Sequence, residues 1–340
     1  MILIDKTWFI GRKLTINIYS RHGSLLLPKN SILNDRHLAL LESHGIELNR
    51  EDTRLVTEFI VEETVSEARA IYEKIHNRKE QLSNSRIRRL VVPKIRELCA
   101  NHRFSDVIVE LRKKDNYTYR HCVGIAVLSY LAGKWLGLKE DELQDLAVSG
   151  LLHDIGKIKI PDSILNKPGG LSANEYAVIK LHTHYGYEMI RGLPGTTERQ
   201  ALVALQHHER EDGSGYPFGL TGDRIAPFSK IVAVADVFHT MLSERVYKKP
   251  VPLYQVFREL YQRAFRLFDP SVVRCLIFNL MSKMIGDSVL LSDGQVARII
   301  MLHPDDLINP LVEAEGQFYD LRRSELKIVN FVANPLRKAE

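Results

Sequence analysis

The stretch Leu151–Pro161, LLHDIGKIKIP, sets His153 and Asp154 side by side after two leucines, with Lys157 three residues beyond. The residues leading into it, ELQDLAVSGLL, repeat apolar side chains at spacings of three and four, the pattern of a helix with a buried face. A core helix that ends on an imidazole and a carboxylate must bring something to match them, because an unmatched buried charge is costly.

Working outward, the chain from about 104 to 284 reads as helix after helix. The spacing predicts helices over 117–136, 141–154, 173–191, 197–208, 226–243 and 252–265. Turns rich in Gly, Pro, Asp and Asn separate them, notably PDSILNKPGGLS and EREDGSGYPFGLTGD. Residues 1–50 read as a small α+β module, with short strands in KLTINIYS and GSLLLP and a helix in NDRHLALLESHG, capped at Asn34 or Asp35 and ended by Gly45. Residues 51–103 read as a charged helical connector, interrupted at NSR and Pro93. A homodimer built on it stays open, since no heptad pattern is sustained. Residues 285–340 read as β-rich, with a hairpin around Asp293-Gly294 and strands in PLVEAE and LKIVNFV. The expected fold is mainly α, a helical domain over 104–284 flanked by these small segments.

The net charge of +5 favours an anionic ligand and is too small to argue for nucleic-acid binding. Three cysteines without a CxxC pair point to neither a zinc ribbon nor a disulfide framework, and suit a reducing cytoplasm. MILIDKTWFIGRK lacks a signal peptide's apolar centre, and CVGIAVLSYLAG is too short to span a membrane, so it reads as a core helix.

Six of the thirteen histidines fall between residues 121 and 208. His121 opens an apolar helix, His153 and Asp154 end the next, and His182 lies in IKLHTHYGY. His207 and His208 follow QALVALQ, and Asp236 interrupts IVAVADVFHTM. One such residue is ordinarily a hydrogen-bonded core group or a cap. As a set on successive helices they suggest a shared cation. Imidazole and carboxylate without thiolate suit iron, manganese, zinc or cobalt, whereas calcium and magnesium ask for more oxygen. Neighbours on a helix point about 100° apart, so His153 and Asp154 can serve one site only near a helix end. The two carboxylate oxygens of Asp154 allow it to span two ions. Two cations about 3.5–4 Å apart are a standard clamp for phosphoester hydrolysis. Lys157, about one turn beyond Asp154, is close enough to touch a phosphate.

The ordered run YTYRH, LLHDIGKIKIPDSILNKPG, KLHTHYGYE, LQHHEREDGSGYPFGLTGDRI, IVAVADVF and ERVYKK resembles the HD-GYP domain, a bacterial subgroup of the HD phosphohydrolases. The resemblance implies an all-α catalytic domain that hydrolyses cyclic di-GMP to pGpG or GMP at a centre of two or three metals. By position, His121, His153, Asp154, His182, His207, His208 and Asp236 match the family's ligands, with His182 and His207 toward the second ion and the sharing of His208 left open. Iron or manganese is implied, and zinc, cobalt and nickel are also admitted. Lys157 resembles the lysine on the scissile phosphate, while Arg245 and Lys248 match basic residues that grip the ligand's phosphates. The Gly215-Tyr216-Pro217 loop would lie beside the site, with Tyr216 near the ligand, and would dock partners such as diguanylate cyclases.

Three departures stand out. Tyr117 occupies the position of a glutamate found in three-metal members, so two metals are expected. His239 stands where the family often has aspartate and is left between direct metal contact, a supporting contact and the surface. Glu244-Arg245-Val246-Tyr247 replaces DRPY and keeps the arginine. His184 is a weaker candidate ligand. Three rival readings remain: a slow or non-hydrolysing cyclic dinucleotide sensor, a hydrolase of another nucleotide such as cyclic GMP-AMP or a guanosine polyphosphate, and, more weakly, a protein-interaction module with a vestigial site.

Overall fold

The computed structural model describes residues 6–77, 82–101, 104–242 and 252–332. Strands β1 (Arg12–Leu14), β2 (Ile18–Tyr19) and β3 (Leu25–Leu27) precede helix α1 (Asp35–Ser43) and strand β4 (Thr53–Leu55). β2 pairs antiparallel with β3, and β1 pairs with β4, which carries this unit past residue 50. Phe9, Leu14, Leu27, Leu33 and Leu41 close a small core of its own. The Asn34 side chain caps α1 by accepting from His37 N at 3.0 Å. Gly45, at φ 63°, supplies the left-handed turn after the helix.

The helices that follow are α2 (Val56–Asn77), α3 (Asn84–Asn101), α4 (Phe104–Leu111), α5 (Tyr117–Trp135) and α6 (Glu140–Leu152). Then come α7 (Asp162–Leu165), α8 (Ala173–Lys180), α9 (His182–Arg191), α10 (Glu198–Gln206), α11 (Pro227–Leu242), α12 (Leu253–Leu267) and α13 (Pro270–Ser282). α5 is buried without interruption from Arg120 to Gly133 and forms the axis on which α2, α3, α6, α11 and α13 pack.

The segment read as a connector enters the same core. Val61, Val65 and Ile71 of α2 and Ile87, Val91 and Ile95 of α3 join the cluster that holds α5 and α6. α3 runs through Pro93 because buried residues on either side, Val91, Val92, Ile95 and Leu98, anchor both halves. The helix expected over 173–191 is two helices, broken at Leu181. α13 lies beyond the last helix read from the sequence. Its signal was Asp269, whose side chain accepts from Ser271 N, followed by Pro270 in the first helical turn.

Strands β5 (Ser288–Leu291), β6 (Val296–His303), β7 (Asp306–Ala314), β8 (Gln317–Asp320) and β9 (Ile328–Phe331) form an antiparallel sheet in the order β8-β7-β6-β5-β9. The hairpin at Asp293-Gly294 is present, with Gly294 at φ 90°. β8 escaped the sequence reading because its side chains are not buried, although its turn, Glu315-Gly316, has φ of 50° and 81°. The mainly helical expectation with small flanking β-containing segments is what the structure has. Among the described residues no helix is long and apolar enough to cross a membrane.

The sheet is joined to the helices by Val289, Val312 and Ile308 in the same core, and by the buried Tyr254 hydroxyl, which donates to the Ile308 carbonyl. Tyr254→Phe leaves that carbonyl without its donor. The expected cost is about 1–2 kcal/mol, read as a lower urea midpoint with an unchanged m value.

Candidate functional site

α6 ends where its neighbours crowd it. A Cβ on Gly150 would lie 3.1 Å from Ala126 Cα and from the Ile125 carbonyl oxygen of α5. Beyond His153 and Asp154 the chain makes a 3-10 turn over Ile155–Lys159. Gly156 in that turn passes directly against α9: a Cβ there would fall 1.9 Å from the His182 carbonyl oxygen and 2.5 Å from Gly186 N. Only glycine permits this approach. It sets the first residue of α9, His182, beside Asp154, at the place where the helix expected over 173–191 is broken.

Three imidazoles are fixed in one sense. His153 Nδ1 is 2.8 Å from the Gly150 carbonyl, His182 Nδ1 is 2.7 Å from the Ile179 carbonyl, and His207 Nδ1 is 3.0 Å from the Ala204 carbonyl. A carbonyl oxygen only accepts, so each Nδ1 donates and each neutral ring keeps its lone pair on Nε2. All three Nε2 atoms are buried and, among the described residues, make no hydrogen bond. They converge on Asp154, at 3.3 Å (His153 to Oδ2), 3.3 Å (His182 to Oδ1) and 3.7 Å (His207 to Oδ1). Asp154 Oδ2 also receives the Lys157 ammonium, while Oδ1 makes no hydrogen bond among the described residues. Across the site, His121 Nε2 lies 3.2 Å from Asp236 Oδ1.

Two overlapping donor groups result. In one, ligand atoms of His121, His153 and Asp154 lie within 4.8 Å of one another; in the other, those of Asp154, His182, His207 and His208 do so. Asp154 is common to both, and His208 falls with the second. The two kinds of donor, imidazole nitrogen and carboxylate oxygen, fit a transition-metal dication. A cation would satisfy the Nε2 atoms that otherwise have no partner. All seven residues singled out as a set are thus brought together, from α5, the end of α6, α9, the end of α10, and α11.

Burial opposes the charge of Asp154, yet Lys157 and His153 outweigh it and hold its pKa well below the ordinary carboxylate value. Asp236 is partly buried, which opposes its charge, yet His121 and His153 outweigh this and hold it ionised. Burial lowers the imidazole pKa of His207 to about 4 and pushes His121, His208 and His239 below their ordinary value. His153 moves the other way: burial lowers it, but Asp154 and Asp236 raise it further.

The loop over Gly215, Tyr216 and Pro217 is clamped onto this wall. Buried Glu209 accepts from Phe218 N at 2.8 Å and Leu220 N at 2.9 Å, and Tyr216 N donates to the His208 carbonyl at 3.2 Å. A Cβ on Gly215 would lie 2.5 Å from that same carbonyl oxygen. Tyr216 stacks on His208 with centroids 4.5 Å apart and an interplanar angle of 23°. Two neighbours went unnoticed in the sequence. Lys180 Nζ lies 4.7 Å over the Tyr176 ring and 5.3 Å over the Tyr216 ring, and the spacing of four between Tyr176 and Lys180 on α8 was the available signal. His184 is exposed and packs on Phe218 at 5.5 Å. Tyr117 stacks on His121 with centroids 6.0 Å apart, and His239 is buried beside His121. Arg245 and Lys248, with Glu244, Val246 and Tyr247, lie outside the described residues.

The HD domain family model matches residues 71–272. A cyclic di-GMP phosphodiesterase of Pseudomonas aeruginosa is 34% identical over 206 residues, covering 61% of this chain and 50% of that protein. The cyclic di-GMP phosphodiesterase response regulator RpfG of Xanthomonas campestris is 46% identical over 154 residues, 44% of this chain and 41% of that one. The 3'3'-cGAMP-specific phosphodiesterase 2 of Vibrio cholerae is 38% identical over 170 residues, 50% of this chain and 32% of that one. The chain spans half or less of the length of these relatives. Among solved structures, the HDG"Y"P protein Bd1817 of Bdellovibrio bacteriovorus superposes with a TM-score of 0.53 at 16% identity, covering 79% of this chain and 96% of that one, a likeness of fold.

The lowered imidazoles carry a consequence for stability. A group with a depressed folded pKa binds fewer protons folded than unfolded between its two values, so its stabilising effect is present above the upper value and lost as pH falls. For His207 that window runs from 6.5 to about 4, and His121, His208 and His239 act in the same direction against His153 alone. Metal-stripped protein is expected to melt at progressively lower temperature from pH 6.5 to pH 4. A flat or rising Tm across that range contradicts the assignment.

Proposed function

The chain belongs to the HD domain family, and from that premise we propose that it is a cyclic di-GMP phosphodiesterase, cutting the dinucleotide to pGpG, GMP or both at a centre of two divalent cations. The observation that carries the reading is the pair of donor groups sharing Asp154, each lined by ring nitrogens whose lone pairs are turned inward. Relatives named for cyclic di-GMP and for 3'3'-cGAMP match at similar identity, which makes cyclic GMP-AMP the second reading of substrate.

On this reading His121, His153, Asp154 and Asp236 hold one cation, and Asp154, His182, His207 and His208 hold the other. Iron or manganese suits these donors. When bound, such cations acidify water near neutral pH and stabilise charge on phosphoryl oxygen. The chain's own residues do the rest. The Nδ1 to carbonyl bonds keep the imidazoles in the tautomer that can coordinate. Lys157 places positive charge beside Asp154, where it meets the scissile phosphate. Tyr216, stacked on His208, offers a wall to the nucleotide. Arg245 and Lys248 grip the remaining phosphate charge. The Gly215-Tyr216-Pro217 loop is the docking point for signalling partners such as diguanylate cyclases, and the neighbouring Phe218, 57% exposed, is an apolar side chain available to them. A homodimer through residues 51–103 would use the outer faces of α2 and α3. The ligand residues span 121–236, inside the 104–284 catalytic segment read from the sequence. Three free cysteines fit action in the cytoplasm.

The test is turnover by the full chain with cyclic di-GMP, cyclic GMP-AMP and the base-free diester bis(p-nitrophenyl) phosphate. Chelation should abolish hydrolysis, and ferrous iron or manganese should restore it. Asp154→Asn should cost at least about a hundredfold, since loss of a mere supporting contact to a ligand already costs about 10–100-fold. Lys157→Ala should lower kcat with metal content retained. Undiminished hydrolysis after chelation ends the proposal, and tight cyclic di-GMP binding without turnover selects the sensor reading.

A further inference from the structure

His239 is fully buried on α11, three residues beyond Asp236. Its Nδ1 lies 3.2 Å from Nδ1 of His121, and His121 Nε2 lies 3.2 Å from Asp236 Oδ1. α5 makes room for this ring at Gly124, three residues after His121: a Cβ there would lie 2.3 Å from His239 Nε2 and 2.4 Å from its Cδ2. Any side chain at 124 would collide with the imidazole.

This Nδ1 partner differs in kind from the others. His153, His182 and His207 each rest Nδ1 on a helix carbonyl, which only accepts. His121 rests on a second imidazole, which either gives or takes a proton. The two Nδ1 atoms share one hydrogen. When His239 gives it, His121 carries its own hydrogen on Nε2 and donates to Asp236. When His239 accepts it, the Nε2 lone pair of His121 faces Asp236 and is available to a cation.

We propose that His239 is a positioning residue: by accepting the Nδ1 proton of His121 it holds that ligand in its coordinating tautomer, with Gly124 as the cradle that admits the ring. The inference rests on the metal-centre reading above and is independent of the substrate.

Metal-stripped full chain is titrated with Mn²⁺ or Co²⁺ against a competing chelator, without substrate. His239→Leu removes the acceptor and is expected to weaken one site by about 10–100-fold, with the apo Tm unchanged or raised. His239→Asp restores an acceptor and is expected to bind within about threefold of wild type. Unchanged affinity in the leucine variant, or equal loss in both, overturns the proposal. A measurement on the unaltered chain covers failure of the variants to fold: long-range ¹⁵N–¹H spectra of the Zn²⁺-loaded protein should place the His121 hydrogen on Nδ1, and a hydrogen on Nε2 refutes it. A wild-type chain that binds no dication ends the metal-centre reading and this inference together, whereas normal wild-type binding with an unaffected leucine variant ends the inference alone.

Discussion

One buried carboxylate organises the molecule. Asp154 sits where α6 ends, with the Lys157 ammonium on one oxygen and the Nε2 atoms of His153, His182 and His207 within 3.7 Å. A carboxylate there is tolerable only if cationic charge surrounds it, and one lysine with three imidazoles is an incomplete match. The helices are arranged so that each delivers a donor to this point: α5 on one side with His121, α9 and α10 on the other, and α11 closing the gap with Asp236.

The precision of that delivery comes from backbone contacts more than from side-chain packing. Gly150 lets α6 lie on α5, Gly156 lets the 3-10 turn touch the start of α9, and Gly215 lets the loop after α10 fold back on His208. At Gly156 and Gly215 the approach is closer than any β-carbon would allow, and at Gly150 a β-carbon would force its neighbours to give. They fix where helices end, and helix ends are where this site takes most of its candidate donors: His153 and Asp154 after α6, His182 at the start of α9, His207 and His208 after α10. Helix ends also leave carbonyls without intrahelical partners. Those of Gly150, Ile179 and Ala204 serve to orient the rings, so one feature of the backbone supplies both the location and the tautomer.

The sequence carried the helices between residues 104 and 284 and the identity of the converging residues, because both are written in local pattern. Apolar periodicity marks α5, α6 and α11, and polar residues interrupt it where the site lies. Contacts between distant segments were not legible. Nothing local showed that Gly156 would break the helix over 173–191, since the clash is with a backbone atom of residue 182. α2 and α3 read as a solvated connector because their charged faces dominate the composition, while the thinner apolar stripe of Val61, Val65, Ile87 and Val91 enters the core. His239 could be placed on the face of Asp236 from its spacing, but its contact with His121 depended on the crossing of α11 over Gly124. β8 carried only a turn signal, because none of its side chains is fully buried.

The architecture also implies what the site was shaped for. Leaving a buried polar atom unmatched costs about 1–3 kcal/mol, and among the described residues His153 Nε2, His182 Nε2, His207 Nε2 and Asp154 Oδ1 are all in that position within a single cluster. Apolar residues of similar volume would give a more stable core. A chain that keeps these atoms inward, and spends helix carbonyls on holding the rings there, has traded stability of the empty fold for a rigid set of lone pairs. Rigid donors on helix ends lose little entropy on meeting a cation. A cation bound there would return the free energy that the fold forgoes, which would couple its binding to folding through Asp154.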